Sequence, residues 1–154
     1  MDYQLAQQQL KHLLEGETCW YTNLSQFSAL LNDSMTDINW VGFYLALPDK
    51  NLKLGPFQGS VACVNIPFGQ GVCGTAAEKG VTQLVEDVHE FPGHIACDSR
   101  SQSEIVIPMF EQERLLAVLD IDSPSIARFD ESDHEGLLEL VNVLIEATVW
   151  PANF

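Results

Sequence analysis

The sequence is poor in positive charge. Lys and Arg number 7 against 22 Asp and Glu, giving a net charge of −15 and a pI near 4.3. A chain this acidic repels phosphate backbones and anionic headgroups, so neither nucleic acid nor a membrane surface is an expected partner. No run approaches the roughly 18 consecutive apolar residues of a membrane span. The opening residues, Met1-Asp2-Tyr3-Gln4, are polar and acidic rather than basic and then apolar, so no secretory leader is expected and the expected location is cytoplasmic. Cysteine is sparse too. The 4 cysteines are too few for a disulfide scaffold, and none stands in a C-x-x-C pair, which argues against a zinc ribbon or a thioredoxin-type motif. Repeats, low-complexity tracts and linker-like stretches are also missing. What remains is ordinary globular material. Hydrophobic residues make up 46% and mean hydropathy is +0.03, enough for a proper core. Domains usually run about 100–150 residues, so residues 1–154 are read as one domain.

Periodicity places helices at both ends. Ala6, Leu10, Leu13 and Leu14 share one side of a first helix over Gln4–Leu14. Trp20, Leu24, Phe27, Leu30 and Leu31 recur at helical spacing in a second. Ile38–Leu47 is rich in aromatic and β-branched residues and reads as a strand. Leu52–Phe57 returns after the turn Pro48–Asn51, and Ser60–Ile66 reads as a further short strand. The glycine-rich stretch from Pro67 to Gly74 reads as a loop before a short helix over Thr75–Lys79, closed by Gly80. Val81–Val85, Glu104–Phe110 and Leu115–Ile121 read as strands. Between the first two of these, Glu86–Arg100 shows little periodicity, and an irregular loop of that length in a compact domain is usually functional. Ser132-x-x-Glu135 resembles a capping box opening a last helix. The order implies an α+β fold, an antiparallel sheet of about six strands with N-terminal and C-terminal helices packed on it.

Three features carry chemistry. Cys97 lies in the polar loop segment Gly93-His94-Ile95-Ala96-Cys97-Asp98-Ser99, where a thiol can be exposed and reactive; Cys63 and Cys73 lie in a strand candidate and in the glycine loop. A reactive thiol near a second thiol can cycle through sulfenic acid to a disulfide. Cys19, on an early helix, reads as packing. Asp120 and Asp122 alternate on a strand and so share a face, opposite Leu119 and Ile121. Either that strand end emerges into solvent, or the pair holds a cation or ammonium or acts as an acid, with Glu104 able to join it. Trp40 and Tyr44 also share a strand face, as core or as the wall of a small apolar pocket. The glycine loop can offer N–H groups to an anion or be a plain turn. His89 and His94 lack metal-ligand spacing, and no metal or cofactor is expected.

Longer stretches resemble a known family. They are Ile38–Tyr44, Leu54–Gly59, Ala62-Cys63, the run Ile66-Pro67-Phe68-Gly69-Gln70-Gly71-Val72-Cys73-Gly74-Thr75-Ala76-Ala77, the run Val88-His89-Glu90-Phe91-Pro92-Gly93-His94-Ile95-Ala96-Cys97-Asp98, Ser103–Pro108 and Val118–Pro124. Together they are similar to the free methionine-(R)-sulfoxide reductases, single GAF-domain proteins. The likeness runs from about residue 15 to 148, with no departure at the motif positions. It implies a GAF-like fold and the thiol-dependent reduction of free methionine (R)-sulfoxide, with thioredoxin as reductant and a homodimer as the family-like assembly. By position it implies Cys97 as the nucleophile, Cys63 as the favoured resolving thiol and Cys73 as the second candidate. It also implies an acidic pocket of Glu104, Asp120 and Asp122, with Asp122 among the catalytic groups, and an aromatic wall of Trp40 and Tyr44. The (R) preference rests on the resemblance alone. The rival readings are a non-enzymatic GAF module that binds a small ligand, and a metal-binding regulator built on Cys and His.

Overall fold

The computed structural model describes residues 1–94 and 97–154; Ile95 and Ala96, inside the expected Glu86–Arg100 loop, lie outside the described residues. Two helices come first, α1 (Tyr3–Leu13) and α2 (Trp20–Ser34), followed by strands β1 (Trp40–Ala46), β2 (Asn51–Gly59) and β3 (Asn65–Pro67). Helix α3 (Gly71–Lys79) leads to β4 (Gln83–Val85), a 3-10 turn over Val88–Glu90, β5 (Ser103–Glu111), β6 (Arg114–Ser123) and the closing helix α4 (Glu131–Ala147). The strands form one antiparallel sheet in the order β3-β2-β1-β6-β5-β4.

Strand alternation divides the apolar residues between two layers. Val41, Phe43, Ile105, Ile107, Leu119 and Ile121 face α1, α2 and α4 and form the larger core with Leu10, Phe27, Leu137 and Leu144. Trp40, Tyr44, Val106 and Val118 face the other way and pack on Val72, Cys73, Ala76 and Ala77 of α3. The first layer is covered by three helices. Among the described residues the second is covered by the short α3 and by irregular segments, so this is where the sheet can hold a cavity.

Three local expectations are corrected. The strand expected over Ser60–Ile66 is limited to Asn65–Pro67, and residues 60–64 form an irregular loop. Helix α3 begins at Gly71 rather than Thr75, because contact with the sheet supports two glycines that helical propensity disfavours. The capping box of α4 is Asp130 with Asp133, two residues before the Ser132–Glu135 pair: the Asp130 side chain accepts from the Asp133 amide and the Asp133 side chain from the Asp130 amide. The Tyr3 hydroxyl donates to the same Asp133 carboxylate, fastening α1 to α4. Gly80 closes α3 in the left-handed conformation, as expected.

Candidate active site

The sheet register gathers the acids. Trp40 on β1 lies opposite Asp122 on β6, and Asp122 lies opposite Glu104 on β5; one row further on, Gly42, Asp120 and Val106 align in the same way. All these side chains point to the α3 face. Asp120 and Glu104 are 5% and 6% exposed and Asp122 is half-buried, so the acids are turned into the protein rather than delivered to solvent. They line a cleft of about 530 Å³, open mouth included, together with Trp40, Tyr44, Cys73 and Cys97.

Burial sets the electrostatics of this floor. Glu104 is pushed well above the usual carboxyl range, first by loss of solvent and then by the charge of Asp120. Asp122 is raised by the same causes in the same order, and Asp120 is raised by burial. One Asp120 oxygen, Oδ1, is buried and has no hydrogen-bond partner. Such a group is costly unless a ligand satisfies it. Cys73 closes the cluster from α3. Its Sγ lies 3.9 Å from Glu104 Oε1, and burial followed by the neighbouring carboxyls pushes its thiol well above the ordinary value. One donor atom each from Cys73, Glu104 and Asp120 falls within 4.8 Å of the others. Among the described residues this set is suited to a cation, and an ammonium group is one.

Cys97 lines the same cleft, as does Ala62 beside Cys63. Cys63 and Cys97 form a disulfide with a Cα–Cα distance of 5.7 Å, which leaves Cys73 a free buried thiol. Cys19, read as packing, instead occupies the N-cap of α2, half-buried, where the nearby Thr22 hydroxyl and amide draw its thiol below the ordinary value. The two aromatics do more than form a wall. Trp40 and Tyr44 stack with ring centroids 5.9 Å apart, and Phe57 stacks on the other side of Trp40 at 5.1 Å. The Trp40 indole N–H donates to the Ser60 carbonyl (3.1 Å), and the Tyr44 hydroxyl donates to the Cys63 carbonyl (2.9 Å). The irregular loop bearing Cys63 is therefore pinned to β1. Gly59 makes this approach possible: its φ is +140° and a Cβ there would stand 2.5 Å from Trp40 Cδ1.

The structure thus brings together Cys63, Cys73, Cys97, Glu104, Asp120, Asp122, Trp40 and Tyr44 in one cleft or at its edge. Sequence reasoning passed over Asp98 and Ser101, which also line it. The Asp98 carboxyl is held down to about 2, chiefly by hydrogen bonds from the Arg100 side chain and backbone. His94, weighed only as a metal ligand, reaches the cleft as well; burial lowers its imidazole and His89 adds to the effect. The Gln70 side chain makes no capping hydrogen bond at the N-terminus of α3, and Gln70, Gly71 and Val72 border the same space.

Comparison with known proteins agrees with this geometry. The GAF domain family matches residues 22–146. The free methionine-R-sulfoxide reductase of Escherichia coli is 54% identical over 129 residues, covering 84% of this chain and 78% of its own length. The reduced form of the Staphylococcus aureus fRMsr superimposes with a TM-score of 0.91 at 51% identity, covering 95% of this chain and 94% of that one. The Neisseria meningitidis free methionine-R-sulfoxide reductase, solved in complex with its substrate, gives 0.90 at 45% identity, with 94% and 87% covered. The chain belongs to the free methionine-R-sulfoxide reductase family of GAF-domain proteins.

Proposed function

We propose that this chain reduces free methionine (R)-sulfoxide to methionine, with Cys97 taking the oxygen and Cys63 resolving the product. The observation that carries the reading is a disulfide whose Cys97 lines a cleft shared with three acids, two of them buried and one with an unsatisfied oxygen. A ligand-binding sensor has no need of the first feature.

The substrate is a small zwitterion, and its parts match those of the cleft. Its ammonium pairs with Glu104, Asp120 and Asp122 through charge-assisted hydrogen bonds, and Asp120 Oδ1 gains its missing partner. Its carboxylate takes N–H donors at the uncapped start of α3. Its methyl and methylene groups lie against Trp40 and Tyr44. A methionine inside a chain has amides in place of both charges, so a site enclosing both termini selects the free amino acid.

The thiolate of Cys97 attacks the sulfoxide sulfur. A carboxylic acid protonates the sulfoxide oxygen during this attack, and Asp122, whose carboxyl is raised by burial and which lines the cleft with Cys97, is the proposed donor. The protonated oxygen then passes to the Cys97 sulfur as the sulfoxide S–O bond and the transient bond between the two sulfurs break, which releases methionine and leaves Cys97 a sulfenic acid. Cys63 condenses with it, releasing water and forming the disulfide. An external dithiol then attacks that disulfide and leaves oxidised; thioredoxin is the proposed reductant. Cys73, buried and held protonated, fits the cleft floor better than the resolving step. Residues 1–154 act as one GAF-like unit in this reading, in the reducing cytoplasm and as a homodimer, which light scattering of the purified chain tests. The activity is tested by NADPH consumption with thioredoxin, thioredoxin reductase and separated free methionine sulfoxide diastereomers. Turnover of the (R) form alone is expected. No turnover of either form, with methionine bound as a simple ligand, would return the chain to the sensor class.

A further inference from the structure

The two sulfurs lie outside the regular elements: residues 60–64, pinned to β1 by Trp40 and Tyr44, carry Cys63, and the segment after the 3-10 turn carries Cys97. One side chain crosses between them. Arg100 Nη2 donates to Ser60 Oγ at 2.8 Å. The same guanidinium holds Asp98 through two further bonds, Nε to Oδ1 at 3.1 Å and Nη2 to Oδ2 at 2.8 Å, and the Arg100 amide adds a bond to Oδ1 at 2.9 Å. Asp98 is itself tied to the sheet. Asn39, just before β1, donates from Nδ2 to Asp98 Oδ2 at 3.1 Å and to Ser101 Oγ at 3.2 Å. The chain of contacts Asn39–Asp98–Arg100–Ser60 runs from β1 to the base of the other loop. Ser60 precedes Cys63 by three residues, and Arg100 follows Cys97 by three.

We propose that Asp98 and Arg100 form a clasp that sets Cys97 against Cys63 for disulfide closure, as positioning residues of the resolving step. The proposal rests on the assignment of Cys97 and Cys63 made above. The Asp98 side chain is only 13% exposed and anchored on two sides, so one end of the clasp is rigid. With Nε and one Nη2 hydrogen fixed on Asp98, the plane of the guanidinium is set and the second Nη2 hydrogen is directed at Ser60 Oγ. Arg100 itself is 59% exposed, so its contribution to global stability is small. Its effect falls on a local quantity, the effective concentration of the Cys63 sulfur at the Cys97 sulfenic acid. In that step the Cys63 sulfur attacks the Cys97 sulfur, the S–O bond breaks, and hydroxide leaves as water with the thiol proton. Oxygen transfer to Cys97 precedes it and does not need the Cys63 sulfur set against Cys97, and neither Ser60 nor Arg100 lines the cleft, although Val61, Ala62 and Asp98 do. Loss of the Arg100–Ser60 contact therefore acts chiefly on the second step.

The test is a rapid-quench single turnover with free methionine (R)-sulfoxide and no reductant, on wild type, Arg100→Ala, Ser60→Ala and the double variant. Methionine release reads the first step; mass spectrometry after acid quench and dimedone trapping reads sulfenic acid against disulfide. Ser60→Ala leaves the Arg100–Asp98 pair in place, which controls for charge and for folding of the Cys97 loop. Methionine release should stay within about twofold of wild type, while disulfide closure slows about fivefold in each single variant, the size expected of one exposed charge-assisted hydrogen bond. The double variant should be no slower than the worse single, because both remove one contact. Closure at the wild-type rate in both single variants, or effects that multiply in the double, overturns the clasp. A wild type that releases no methionine instead overturns the assignment of Cys97 and, with it, the basis of the clasp.

Discussion

Replacing Glu104 by Gln should make the protein more stable and a worse enzyme. Glu104 and Asp120 place one oxygen each within 4.8 Å. Two carboxylates at that distance repel by about 3.5 kcal/mol at an effective dielectric of about 20, before the cost of burial is added. The folded protein avoids the full penalty by retaining protons, and for that reason the carboxyls lie above their ordinary range. The sign follows from linkage. With folded pKa values above the unfolded ones, the native state binds more protons, so stability falls as pH rises from the unfolded carboxyl pKa of about 4 through the raised folded values. An amide supplies the N–H permanently and removes one charge. Allowing for imperfect pairing of the amide, Glu104→Gln should gain about 2 kcal/mol at pH 8, roughly 4–8 °C in Tm for a chain of this size. The gain should shrink toward zero near pH 4. The variant loses one partner of the substrate ammonium, so KM should rise about 10- to 100-fold. Differential scanning fluorimetry between pH 4 and 8 reads the first effect, and the coupled assay reads the second. A variant less stable than wild type at pH 8, or a Tm difference that does not change with pH, refutes this account of the acidic floor.

The other perturbations are simpler. Tyr44→Phe leaves the Cys63 carbonyl without its donor; it should cost about 1 kcal/mol in denaturant midpoint analysis and slow disulfide closure more than oxygen transfer. Gly59→Ala forces a Cβ to 2.5 Å from the Trp40 ring at a φ of +140°; it should destabilise by about 2–4 kcal/mol, read by urea unfolding. The reduced Cys97 thiol shares its cleft with the three acids, and any charge they carry is offset when the substrate ammonium arrives. Saturating methionine should therefore lower the pH midpoint of Cys97 alkylation by iodoacetamide, and an unchanged midpoint removes that role from the substrate.

Much of this architecture is legible in the residues. The alternation of Asp120 and Asp122 against Leu119 and Ile121 survives because strand period is a local property, and the two-layer burial follows it. The pairing of Glu104 with Asp122 is not local. It depends on the register of β5 on β6, which nothing near either residue dictates. Residues 71–74 mislead because Gly-Val-Cys-Gly disfavours a helix that tertiary contact then enforces. Ser60–Ile66 misleads in the other direction: its apolar residues pack or lie exposed as a loop pinned by two aromatic side chains. The Cys63–Cys97 pairing cannot be read from spacing, and only the family resemblance indicated it. The Asn39–Asp98–Arg100–Ser60 contacts join positions far apart in the chain through side-chain geometry, which no pattern in the sequence announces.

The central claim is that Cys97 accepts the oxygen of free methionine (R)-sulfoxide, and one measurement addresses it directly: methionine released in a single turnover, without reductant, by wild type, Cys63→Ser and Cys97→Ser. Wild type and Cys63→Ser should each release about one equivalent per chain. Cys97→Ser should release none; an equivalent of methionine from that variant would contradict the account.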